Sequence, residues 1–205
     1  MREVAGLRVV DGARLPEALR RVLKPDALIV DEAGRGRRLP RFFYEVDSRL
    51  TADETQLAPW FRLSELLETD VREAPQLQGF PRYVPCAVTL VAAALSVFRE
   101  RVGTRVQVAV NGGYRSPAHE LSHAASTHNW GTAANIYRVG DDLLDAQERI
   151  DKYATLARQV LPQVWARPWG HTAGFADDHL HLDLGYVTVV PRDAVGEERP
   201  GEGAP

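Results

Sequence analysis

The stretch HELSHAASTHNWGTAANIY, residues 119–137, admits two incompatible readings, and the choice between them decides the fold. Its first five residues carry the H-E-x-x-H spacing. On a helix, His119 and His123 would lie one turn apart and grip one zinc ion, with Glu120 as the base. Its second half sets His128 and Gly131 ahead of an alternation, Ala133, Asn135 and Tyr137 against Ala134 and Ile136, that reads as a strand. Context weighs against the helix. Ser116 and Pro117 suit a helix start, yet the loop NGGYRSP precedes the motif and AASTHNWG follows it. A zinc-binding helix of that kind needs a long apolar face, and none is present.

The rest of the chain supplies partners for the second half. All six histidines fall between positions 119 and 181. In HLHLDL, residues 179–184, a period of two puts His179, His181 and Asp183 on one face and Leu180, Leu182 and Leu184 on the other. The leucines have the obvious core role, so the opposite face carries two imidazoles and a carboxylate.

Composition sets the outer bounds. The chain has 205 residues, 44% hydrophobic and 26% charged, with a net charge of −3. That profile describes a soluble globular chain and suggests no nucleic-acid partner. RGRR at 35–38 is too short for a basic patch. The one cysteine, Cys86, has no disulfide partner and reads as a small buried hydrophobe. The N-terminus lacks an apolar signal core and no run is long enough for a membrane span, so the chain as written is expected to be cytoplasmic.

Three regions are expected. Residues 1–50 read as a small α/β extension, with strands at GLRVVDG, DALIVDEAG and RFFYEVDS and a helix at LPEALRRVL. Residues 51–190 form the main domain. Thr51 with Glu54, and Ser64, are helix-cap candidates. Val84, Val88, Val91, Leu95, Phe98 and Val102 predict an amphipathic helix, opened by Pro85 and stopped by Gly103. TRVQVAV is a strand, and AQERIDKYATLARQVL is a second helix framed by Asp145 and Glu148. DHLHLDLGYVTVV is the last strand. Residues 191–205, rich in Pro, Gly and Glu, are expected to be a disordered tail. Helices and strands mix without strict βαβ alternation, which predicts an α+β fold with an antiparallel sheet flanked by helices.

The order FRLSELL, amphipathic helix, VQVAVNGGYRSP, STHNWGTAANIY and HLHLD resembles the M15 family of zinc D-Ala-D-Ala peptidases, of the hedgehog/DD-peptidase fold group. The resemblance runs from about Phe61 to Tyr186, more than half of the chain. The family pattern S-x-H-x-x-G-x-A-x-D is matched by Ser126, His128, Gly131 and Ala133, with Asn135 at the final position. The family's GYRS segment matches Gly113 to Ser116, and its last histidine matches His181. The resemblance implies Zn²⁺ held by His128, His181 and the residue at 135. It implies Asp178 as proton acceptor and Arg115 as holder of an oxyanion or a substrate carboxylate. Ser126 and Asp183 would orient the ligands. The implied substrates are peptidoglycan stem peptides ending in D-alanine, which requires export or release of the protein by another route.

Asn135 departs from that pattern. A neutral amide oxygen is a poorer zinc ligand than a carboxylate, because it neutralises no charge. Another side chain could complete the site, with His179, His123 and Asp183 as candidates. Otherwise the amide suffices, or the fold persists as a catalytically inactive peptide- or cell-wall-binding module. The expectation is therefore a zinc peptidase with a degenerate motif, the inactive module as its alternative, and a zincin using His119, Glu120 and His123 as a distant third.

Overall fold

The computed structural model describes residues 2–3, 6–171 and 177–192. The first half runs β1 (Arg2–Glu3), β2 (Arg8–Asp11), α1 (Glu17–Leu23), β3 (Leu28–Val30), β4 (Gly36–Arg38), β5 (Phe42–Val46), α2 (Arg49–Glu54), β6 (Thr55–Ala58), β7 (Phe61–Arg62), α3 (Leu63–Leu67), α4 (Pro75–Gln78) and β8 (Arg82–Pro85). The second half runs α5 (Val88–Val102), β9 (Val106–Val108), a 3-10 turn (Thr127–Trp130), β10 (Ala133–Val139), β11 (Asp142–Leu143), α6 (Gln147–Val160), β12 (Trp165–Ala166) and β13 (Leu180–Asp183). Among the described residues no helix is long and apolar enough to cross a membrane.

The architecture is α+β with antiparallel pairing in its larger sheets. The largest sheet is built around β10, which pairs with β9, β11 and β13, while β12 pairs with the far side of β13. A second sheet joins β2, β5 and β8. The register of β10 on β13 sets Asn135 opposite His181 and Ala133 opposite Asp183. The alternate residues, Ala134, Ile136, Leu180 and Leu182, lie in the core with Val91, Leu95 and Phe98 of α5 and Ile150 of α6. The period-two pattern therefore sorts as expected: apolar residues face the helices, and the histidines face the other way.

The N-terminal segment shares this core. Leu7, Val22, Leu23 and Phe43 belong to the same cluster as the leucines of β13, and β5 pairs with β8 of the main segment. The strands and helix expected in residues 1–50 form at β2, α1, β3 and β5.

Several ends differ from expectation, each for a local reason. The long helix starts at Val88, not Val84, because Val84 and Pro85 pair with Tyr44 and Phe43 as the end of β8. Gly103, at φ +67°, stops it by returning its N–H to the Arg99 carbonyl at 3.0 Å. Ser48, not Thr51, caps α2 by accepting the Thr51 N–H at 3.1 Å. Ser64 lies inside α3, whose first turn is closed by the Glu65 carboxylate accepting the Arg62 N–H at 2.8 Å. Asp145 does not cap α6 and instead pairs with Arg149 at 3.0 Å. The last strand ends at Asp183, and residues 184–190 continue without strand pairing. Most of the expected tail, residues 193–205, lies outside the described residues.

Candidate functional site

The polar face of the main sheet is the site's floor. Because Trp165 pairs with Asp183 on the neighbouring strand, the floor reads Trp165 on β12, Asp183 and His181 on β13, then Ala133 and Asn135 on β10. Arg167 extends the first row, its N–H donating to the His181 carbonyl at 3.0 Å. Ala133, 1% exposed, is covered by the chain beside Asn135.

A loop and a turn close over this floor. His128 sits in the 3-10 turn, which Gly131 ends in the left-handed region at φ +69°, a conformation that favours glycine. The segment Gly113–Ser116 crosses beside it. His128 Nδ1 donates to the Gly113 carbonyl at 2.7 Å, and the Arg115 N–H donates to the His128 carbonyl at 3.3 Å. Asn129 Nδ2 donates to the carbonyls of Arg115 and Ser116. Ser116 donates from both N–H and Oγ to the buried carboxylate of Glu73, at 3.1 and 2.6 Å. On the other side the Tyr114 N–H donates to the Leu66 carbonyl. A Cβ on Gly113 would lie 2.6 Å from the Leu66 carbonyl carbon and closer still to its oxygen. The glycine is required by this crossing.

The three expected ligands converge. The His128 and His181 rings are 5.2 Å apart, and His181 Nδ1 lies 2.8 Å from Asn135 Oδ1. With Nδ1 donating to Gly113, the Nε2 lone pair of His128 is left free, the arrangement that a metal-ligating imidazole needs. His181 Nε2 lies 3.0 Å from Asp183 Oδ2, which accepts the Nε2 proton of a neutral ring; the Nδ1 lone pair then faces the Asn135 amide, which satisfies it only with its NH2 turned inward, since the amide oxygen is itself an acceptor. Burial holds His128 well below the usual imidazole pKa, helped by the positive field of Arg115. Burial also lowers His181, with Asp183 opposing it. Both rings are thus kept neutral, the form that ligates metals.

The substitute ligands stand differently. His123 is exposed. Both nitrogens of His179 are engaged, Nδ1 with Asp178 Oδ1 at 2.6 Å and Nε2 with Arg167 at 3.2 Å. Asp183 is held by His181 and by the Gly185 N–H at 2.7 Å. Ser126 does not orient His128, whose Nδ1 is taken by the Gly113 carbonyl; the serine's backbone carbonyl accepts from Asn129 instead. Among the described residues no group of three or more His, Cys, Asp or Glu side chains is placed to hold a metal. A metal here would have to use the Asn135 amide.

Arg115 is 8% exposed, and its Nε is buried without a hydrogen-bond partner. Burial pulls its pKa from the ordinary guanidinium value down to about 10, with Glu73 as the opposing negative charge. A buried cation without a bonded counter-ion is costly unless a ligand meets it. Asp178, by contrast, has a side chain 71% exposed and is tied to His179.

No family model, curated protein or solved structure matches the chain.

The stretch HELSH forms no helix. His119 is buried, its Nε2 on Asn111 Oδ1 at 2.9 Å and its Nδ1 accepting the Leu121 N–H at 3.0 Å. Glu120 and His123 are exposed, so the three side chains share no site. Both ring nitrogens of His119 serve the loop, which removes the zincin reading. Local pattern did not reveal Arg167 or Trp165, because a two-residue strand carries no periodicity. Glu73 had no signal either, since its partner Ser116 lies 43 residues away.

Proposed function

We propose that this chain is a metal-dependent peptidase of the M15 type, on a hedgehog/DD-peptidase-like fold, acting on peptidoglycan stem peptides. The observation that carries the reading is that the His128 and His181 rings lie 5.2 Å apart, with His181 Nδ1 2.8 Å from Asn135 Oδ1 and, nearby, a buried Arg115 whose Nε has no hydrogen-bond partner. His128 Nε2, His181 Nδ1 and Asn135 Oδ1 would hold the ion, and Zn²⁺ is the first candidate given two imidazole ligands. When bound, such an ion polarises a carbonyl and makes water a nucleophile at neutral pH.

The chain's own residues supply the rest. Arg115 offers a planar donor fork to a carboxylate or a developing oxyanion. Asp178 Oδ2 accepts the proton of the attacking water, since Oδ1 is held by His179. The water oxygen bonds to the carbonyl carbon, the C–N bond breaks, and the proton passes to the leaving amine. Asp183 fixes the tautomer of His181.

A second reading keeps the same residues as a peptide-binding module without hydrolysis. The neutral Asn135 favours it, because the site lacks an anionic ligand. Metal analysis after zinc loading, together with an assay on a D-Ala-D-Ala-terminated peptide, separates the two. Near one metal per chain with cleavage supports the peptidase. A loaded, folded protein without metal refutes it. Metal-independent binding of the peptide, lost in Arg115→Ala, establishes the module.

A further inference from the structure

Beside the site runs a hydrogen-bonded chain of three side chains. Arg167 is 7% exposed and follows β12 on the face that carries His181. Its guanidinium donates to His179 Nε2 at 3.2 Å. An arginine has no acceptor, so Nε2 must hold the lone pair and the neutral ring must carry its proton on Nδ1. That Nδ1–H points at Asp178 Oδ1, 2.6 Å away. The direction of donation is thus fixed from the buried end outward: guanidinium to imidazole, imidazole to carboxylate. Asp178 alone is 71% exposed on its side chain, against 15% for His179.

We propose that Arg167 and His179 are positioning residues that hold the Asp178 carboxylate in one orientation just ahead of β13, with Arg167 selecting the tautomer of His179 that does so. The proposal rests on the peptidase reading for the meaning of Asp178, not for the hydrogen-bond chain itself. It follows that His179 is neither a metal ligand nor a base, since neither nitrogen is free. An unanchored aspartate at this exposure would sample several rotamers, and the bond from His179 selects one of them.

Long-range ¹H–¹⁵N spectra of the metal-free, substrate-free protein read the His179 tautomer directly. The expected result is Nδ1–H in the native chain, loss of that preference in Arg167→Met, and its return in Arg167→Lys. Asp178→Asn, on an exposed side chain, guards against a folding failure of the arginine variant. It should keep the Nδ1–H tautomer, because Arg167 remains. An Nε2–H tautomer in the native protein overturns the proposal. So does relaxation of the tautomer in Asp178→Asn. If hydrolysis is present, Arg167→Met should lower kcat by about 10-fold with KM little changed. Absence of hydrolysis in the native chain would sink the peptidase reading and leave the tautomer result standing.

Discussion

On the peptidase reading, Asn135→Asp adds an anionic ligand to the site and should tighten zinc binding by about 100-fold. The side chain is nearly isosteric, and its backbone is held by the Gly112 carbonyl and the Ala109 N–H at 2.7 and 2.9 Å, so the new carboxylate keeps the place beside His181. A unit charge pair at 4 Å is worth about 4 kcal/mol at an effective dielectric of 20, and a dication doubles it. Desolvating a carboxylate in a partly buried place costs several kcal/mol. The net gain is then about 3 kcal/mol, and 1.4 kcal/mol is about tenfold in affinity. At zinc 100 times the variant's Kd, linkage stabilises it by about 2.7 kcal/mol while the native chain gains little. At about 2–4 °C per kcal/mol for a chain of this size, Tm should rise by about 5–11 °C. Calorimetric titration and melting with and without zinc measure both. A folded variant with unchanged zinc affinity and unchanged Tm shift would show that residue 135 does not face the metal position.

Four further outcomes are expected. Gly113→Ala should destabilise by at least about 3 kcal/mol in urea unfolding, because its Cβ meets the Leu66 backbone, which cannot move without breaking α3. Trp130→Ala should cost about 3–5 kcal/mol by the same measurement, since the indole is fully buried and donates to the Arg38 carbonyl at 3.1 Å. Cys86, 1% exposed and pushed up to about 12 by burial, should resist alkylation at pH 8 in the native chain and react when unfolded. In metal-free protein, His128 and His181 have folded pKa values below the ordinary 6.5, so the unfolded chain binds more protons below that pH. Stability should therefore fall as pH drops below about 6.5, by up to about 1.4 kcal/mol per unit for each ring, with a shallower slope in His128→Asn.

The amino-acid order alone was enough for the parts of this protein that rest on local periodicity. The alternation in TAANIY and HLHLD places Asn135, His181 and Asp183 on one face and the leucines on the other, and the register of β10 on β13 bears that out. The heptad-like valines and Phe98 mark α5, and Gly103 marks its end. What tertiary structure decided are contacts between distant segments. Two imidazoles one turn apart in HELSH look like a metal grip only if that stretch is helical, and the bonds of His119 to Asn111 and Leu121 hold it as a loop. Ser126 carries no bond to His128, because the Gly113 carbonyl takes the ring nitrogen it was expected to hold. Arg167, Trp165 and Glu73 enter the site through cross-strand pairing or a loop crossing, and neither leaves a trace in neighbouring residues. Local sequence determines which way a side chain points along its strand; only the pairing of strands determines what it meets there, because register and loop crossing are set by the core as a whole.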